Sequence, residues 1–202
     1  MPDVRIYTTL ALAARAIADQ IVQISERAIS TRGRFTIALS GGETPRLLYR
    51  LLATEEYASR IEWGQWHVFW GDERCTSPDH DDNNAHMARK LLLDMVPIPL
   101  SSIHRIAGEK EPEQAAADYE ALLRDYFKRR GESRPRFDLA LLGIGADGHT
   151  ASLFHGSPAL TEEQRWVMAV YVEALGAHRI TLTPPALNAT ARTFFLVGGE
   201  GK

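Results

Sequence analysis

The chain has 202 residues, 45% of them hydrophobic and 24% charged, with a formal net charge of −3 and one cysteine. That composition fits a globular domain able to bury a substantial core and excludes fibrous and disordered classes. The acidic balance argues against a general nucleic-acid binder, the lone cysteine rules out an intrachain disulfide framework, and no long apolar span or leader pattern stands out, so a cytoplasmic enzyme is the expectation.

Taken in chain order, residues 4–7 predict a short strand. Leu10, Ala13, Ala14, Ile17, Ile21, Ile24 and Ala28 recur at helical spacing, with Thr8 or Thr9 as the cap. Residues 35–39 predict a strand broken at Ser40-Gly41-Gly42, and Pro45 opens a helix carrying Leu47, Leu48, Leu51 and Leu52. Residues 66–70 form the next strand, ending at Gly71-Asp72-Glu73-Arg74. A polar loop leads to a helix around 87–95, stopped near Pro97. Tyr119, Leu122, Leu123, Tyr126 and Phe127 stripe a helix that begins near Pro112, and its basic continuation over 128–136 reads as a helix end and solvated loop. Strands follow at 137–142, 166–172, 180–182 and 194–197. Helices between short apolar strands predict an α/β fold with a mainly parallel sheet flanked by helices. No repeat or linker interrupts the chain, so residues 1–202 are read as one domain.

Three strand ends carry distinctive residues. Ser40-Gly41-Gly42-Glu43-Thr44-Pro45 places a hydroxyl and two glycines between a strand and a helix, where backbone N–H groups can meet an anion; a tight βα turn would look the same. It is not a Walker loop, since the lysine and its spacing are missing. Asp72, Glu73 and Arg74 supply two acids and a guanidinium, equally the makings of an exposed ion pair. Asp147-Gly148-His149 follows an apolar strand and a glycine turn, and brings a carboxylate together with an imidazole that titrates near neutrality. At the carboxyl ends of parallel strands such residues can converge, and ligands of open α/β sheets bind there.

Four segments together resemble one family: Ser40 to Pro45, Trp70 to Arg74, Gly143-Ile-Gly-Ala-Asp-Gly-His-Thr-Ala-Ser-Leu-Phe154, and Arg179-Ile-Thr-Leu-Thr183 followed by Ala186-Leu-Asn188. They are similar, in order and across almost the whole chain, to the 6-phosphogluconolactonases. The resemblance implies a Rossmann-like fold of the sugar-phosphate isomerase/lactonase type. It also implies hydrolysis of 6-phospho-D-glucono-1,5-lactone in the oxidative pentose phosphate pathway. In that reading His149 activates water and returns a proton to the departing ring oxygen, and Asp147 holds the imidazole. Arg74 contacts the oxyanion or substrate oxygens, and Asp72 the sugar hydroxyls. The resemblance further implies that the phosphate meets Ser40, Gly41, Gly42, Thr44, Arg179 and Lys202. No cofactor is expected, and no His/Cys spacing suggests a metal site. The partner is a small sugar-phosphate lactone, with neither nucleic acid nor membrane, and the chain is expected to be a monomer or weak homodimer. Family members continue past the segment around Lys202 into a further helix, so the domain is expected to lack that C-terminal helix.

Departures from the family pattern are small. His155 stands where proline is usual and is read as a surface or rim residue, and Asn83-Asn84 replaces a common Ser-Asn. Cys75, beside Arg74, could have a lowered pKa, yet no resolving cysteine or base supports a nucleophilic role. Two rival functions fit the sequence less well. A glucosamine-6-phosphate deaminase or isomerase would place a glutamate where Phe154 stands, and a noncatalytic sugar-phosphate sensor would need a DNA-binding module, of which no pattern precedes Val4.

Overall fold

Apolar periodicity sets the element order in the computed structural model, which describes residues 3–199. The first helix, α1 (Leu10–Arg32), starts at Thr9, whose side chain accepts from the Leu12 amide at 3.2 Å, and ends at Gly33, whose positive φ of 70° closes the last turn. Its inner face buries Ala14, Ala18, Ile21, Val22 and Ala28. Strand β1 (Phe35–Leu39) is buried at every position, as a central parallel strand covered on both sides must be. Then come α2 (Thr44–Leu52), the short α3 (Glu55–Ala58), β2 (Trp66–Trp70), β3 (Asp72–Arg74) and α4 (Asn84–Leu91). The second half adds α5 (Pro112–Lys128), β4 (Leu139–Leu142), β5 (Val167–Val172), β6 (Ala177–Leu182), α6 (Pro184–Asn188) and β7 (Thr193–Phe195).

The parallel sheet has the order β2-β1-β4-β7. From β1 the chain crosses to β2 on one side and later returns to β4 on the other, so the topological switch point falls between β1 and β4. Phe35 pairs with Trp66 and Ile37 with Leu139, which fixes the register of these neighbours. A second sheet, β3-β6-β5, is antiparallel. The chain passes from one sheet to the other at Gly71, whose N–H donates to the Leu39 carbonyl at 2.9 Å and whose carbonyl accepts from the Leu182 amide at 2.8 Å.

Three expectations need correction. Residues 4–7 form no strand: no described segment pairs with them, and Val4 and Ile6 stay 79% and 93% exposed. β propensity without a ladder partner does not make a strand. Residues 72–74, expected as a loop, form an edge strand, because β6 offers them a backbone ladder. The fourth helix starts at Asn84, earlier than the apolar pattern indicated, with the Asn83 side chain accepting from the His86 amide at 2.9 Å.

Candidate active site

The loops after β1 and β4 meet the start of β3 around a cavity of about 250 Å³ at the switch point. Ser40 to Pro45 form one wall, Gly143 to Ala146 and His149 the other, and Asp72, Arg74 and Ala151 complete it. A wider groove of about 460 Å³ beside Arg124 and Trp166 contains none of these residues.

The Ser40–Pro45 wall is an N–H surface. Gly42 has φ +89°, a left-handed conformation that favours glycine. The residue before α2, Glu43, makes no side-chain capping bond; Pro45 carries no N–H and the Arg46 N–H turns back to the Glu43 carbonyl at 3.2 Å, so the amides left for a ligand are those of the turn and of Thr44. The Ser40 carbonyl is tied back by the Tyr49 hydroxyl at 2.6 Å, which orients the turn. Gly41 has no room for a side chain, since a Cβ there would lie 1.9 Å from Asn84 Oδ1.

The opposite wall presents the imidazole. His149 Nδ1 lies 2.5 Å from Asp147 Oδ1, which also accepts from the His149 amide at 3.3 Å. The i,i+2 pairing is made by the turn itself: Gly148 takes φ +84°, and Gly145 N–H donates to the His149 carbonyl at 2.8 Å. The hydrogen bond from the His149 ring lowers the Asp147 pKa and keeps its carboxylate charged. A carboxylate accepting from Nδ1 fixes the neutral ring with its proton there, leaving Nε2 as the acceptor. The ring is backed by Phe154, centroid to centroid 4.1 Å. Ala151, a non-glycine residue at φ +49°, holds strained backbone at the cavity wall.

Asp72 is buried and held from several sides. Ser152 Oγ donates to its Oδ2 at 2.8 Å, and Asn84 Nδ2 donates to its carbonyl at 2.9 Å. Arg74 reaches the cavity while its guanidinium also donates to the Asp82 carbonyl. Arg179 pairs with Arg74 across the β3–β6 ladder and stands beside the cavity instead of in its wall. Burial, and then the neighbouring Arg74 charge, lower the Arg179 pKa, so an anion placed between the two guanidiniums would be strongly favoured. Lys202 lies outside the described residues. His155 is exposed next to Phe154 and lines nothing.

Cys75 corrects an expectation. Burial pushes its thiol up to about 11, and Arg179 only partly offsets that, so it is an inert thiol. Sequence reasoning missed Glu73, Asn84 and Ser152 as supports. The fully buried Glu73 carboxylate accepts from the amides of Arg74 at 2.8 Å, Asn84 at 2.6 Å and Ala85 at 2.9 Å, anchoring the start of α4 beneath the site. Only the acidic residue beside Asp72 hinted at this.

A Rossmann-like sheet with an open helix N-terminus facing a carboxylate-held histidine defines an α/β protein with a site for an anionic substrate. Residues 8–202 match the model of the family described as glucosamine-6-phosphate isomerases/6-phosphogluconolactonase. The chain is 44% identical over 193 residues to the 6-phosphogluconolactonase of a Nostoc species, covering 95% of this chain and 78% of that one. It is 46% identical over 177 residues to the 6-phosphogluconolactonase of a Synechocystis species, covering 87% and 71%. Among solved structures, the 6-phosphogluconolactonase from Trypanosoma cruzi superposes with a TM-score of 0.88 at 32% identity, over 100% of this chain and 82% of that chain. The chain therefore belongs to the glucosamine-6-phosphate isomerase/6-phosphogluconolactonase family.

Proposed function

We propose that the chain hydrolyses 6-phospho-D-glucono-1,5-lactone to 6-phospho-D-gluconate, the lactone-opening step of the oxidative pentose phosphate pathway. The names of its relatives support the activity, and one observation carries the mechanism: a histidine held through Nδ1 by Asp147, on a cavity whose far wall is an N–H-rich turn. His149 Nε2 takes a proton from water as the water oxygen bonds to the lactone carbonyl carbon. The charge that develops on the carbonyl oxygen falls to Arg74. When the bond from that carbon to the ring oxygen breaks, the imidazolium returns its proton to the departing oxygen and the carboxylic acid product ionises. Asp147 stabilises the imidazolium between these steps.

Asp72 receives the sugar hydroxyls in this reading. The phosphate sits on Ser40, the Gly41 and Gly42 amides and Thr44, with Arg179 and Lys202 as its cations. A lactone is already a reactive acyl group, so no step in this scheme is routed through a metal. Residues 1–202 act as one lactonase domain, in the cytoplasm, as a monomer or weak homodimer without nucleic-acid or membrane partners. No helix among the described residues is long and apolar enough to cross a membrane. Phe154, packed at a tilt against the His149 ring, argues against the deaminase alternative, whose glutamate would stand at that position.

The test is a coupled assay on freshly generated lactone with the spontaneous rate subtracted. His149→Ala should lower kcat by about a hundredfold or more while 6-phosphogluconate still binds. Turnover equal to that of the unaltered chain would remove His149 from the mechanism.

A further inference from the structure

A second cleft, of about 170 Å³, lies at the opposite edge of the parallel sheet, where β1, β4 and β7 begin beneath the last turns of α1. Four guanidiniums line it, those of Arg27, Arg32, Arg136 and Arg192, together with the carboxylates of Glu132 and Asp138. Each carboxylate already accepts from an arginine. Asp138 is buried, accepts from Arg32, and receives the Thr36 amide at 2.8 Å and hydroxyl at 2.9 Å. Glu132 Oε1 accepts from Arg34 at 2.8 Å.

Among the described residues, Arg27, Arg136 and Arg192 pair with no carboxylate. Three positive charges therefore face one small cleft in a chain whose net charge is −3. Like charges at such spacing repel. A doubly charged anion between them would replace repulsion with charge-assisted, forked hydrogen bonds.

We propose that this cleft is a second anion site that takes a phosphate dianion, either free or as the monoester of a small hydroxylated molecule. Its volume admits a phosphoryl group and not a whole drug-sized ligand. The Arg27, Arg136 and Arg192 guanidiniums hold the phosphate oxygens. This site does not depend on the lactonase reading, since it shares no residue with the cavity at the carboxyl edge.

The experiment titrates the full ¹⁵N-labelled chain with sodium phosphate and, separately, with glycerol 3-phosphate, at ionic strength held constant with sodium chloride. Amide signals of Ala28 and Ala191 report the cleft, and those of Gly41 and Gly42 report the other site. Saturable shifts at Ala28 and Ala191, with a midpoint independent of the glycine signals, are expected. Arg136→Gln combined with Arg192→Gln should weaken that binding by about tenfold or more and leave lactone turnover unchanged. Both side chains are exposed, so the double variant keeps its fold, which circular dichroism checks. Tighter binding of the ester assigns the site to a monoester; equal binding assigns it to free phosphate. Shifts at Ala28 and Ala191 that follow chloride as readily as phosphate, or that persist undiminished in the double variant, overturn the proposal.

Discussion

Replacing Gly145 with alanine sets a methyl group against the imidazole that the mechanism needs. The added Cβ would lie 2.2 Å from His149 Cε1, 2.3 Å from Nδ1 and 2.8 Å from Asp147 Oδ1. Ordinary carbon contacts begin near ~3.5 Å, so the ring must retreat by about 1 Å or the turn must open. Phe154 stands against the ring at 4.1 Å between centroids and narrows the first route. Opening the turn breaks the 2.5 Å Nδ1 to Asp147 contact, which sets the tautomer. A displacement of about 1 Å at a reacting group costs on the order of a hundredfold in rate, equivalent to about 2.7 kcal/mol of barrier. Gly145→Ala should therefore lower kcat by about that factor in the coupled assay, with binding of inorganic phosphate and the melting temperature nearly unchanged. Ala146, Asp147 and Gly148 are exposed, so the strain stays local. A kcat within about twofold of the unaltered chain would refute both the placement of the ring and its role.

Asp147→Asn should cut kcat by roughly a hundredfold or more with KM little changed, since an amide donating to Nδ1 leaves the proton on Nε2; a pH–rate profile of unaltered shape and height would contradict the tautomer argument. Asn84→Ala should lower kcat, raise KM and cost about 1–3 kcal/mol of stability, because the Asp72 carbonyl loses its 2.9 Å donor and Gly41 loses its backing. Denaturant unfolding and steady-state kinetics together check it, and loss of stability without kinetic change would leave Asn84 as packing alone. Stability should also fall in acid. Burial, aided by Arg130, pushes His67 and His104 down to about 4, so the unfolded chain, titrating near 6.5, binds more protons between those values and stability is lost as pH falls through that window. Each half-exposed ring contributes less than the roughly 1.4 kcal/mol per pH unit of a full proton. Glu73 acts in the opposite sense: burial pushes its carboxyl up to about 7 from 4.5, so stability is lost as pH rises over that range. The histidines and Glu73 oppose one another over most of this range, so the check is a difference: His67→Gln with His104→Gln should remove a rise in melting temperature between pH 4 and about 6.5 relative to the unaltered chain; the same pH dependence in both proteins would refute the assignment.

The parallel half of the molecule was legible because its signals are local. An apolar run buried on both faces, as in residues 35–39 and 139–142, is continuous in sequence, and a glycine turn followed by a helix announces a strand's carboxyl end. The His149–Asp147 pair could be read for the same reason, since two residues and one glycine make the contact. What the sequence did not disclose depends on partners far along the chain. Asp72–Arg74 is a strand only because residues 179–181 lie alongside it, and residues 4–7 have strand-like composition without a neighbour to pair with.

The same distinction separates the site's acting groups from its supports. Asn84 reaches Asp72 across twelve positions and Ser152 reaches it across eighty, and neither contact follows from a local pattern. The antiparallel sheet matters here because it brings Arg179 level with Arg74 and Thr181 level with Asp72. Thr181 Oγ1 in turn accepts from the Ser152 amide at 3.1 Å, tying the loop after His149 to the strand that carries Asp72. The parallel sheet thus supplies the two facing walls, the N–H turn and the imidazole. The antiparallel sheet fixes the angle between them and adds the cations. Loosening β6 should accordingly misplace Asp72 and the histidine loop together, so paired substitutions at Ser152 and Asn84 should prove non-additive in kcat.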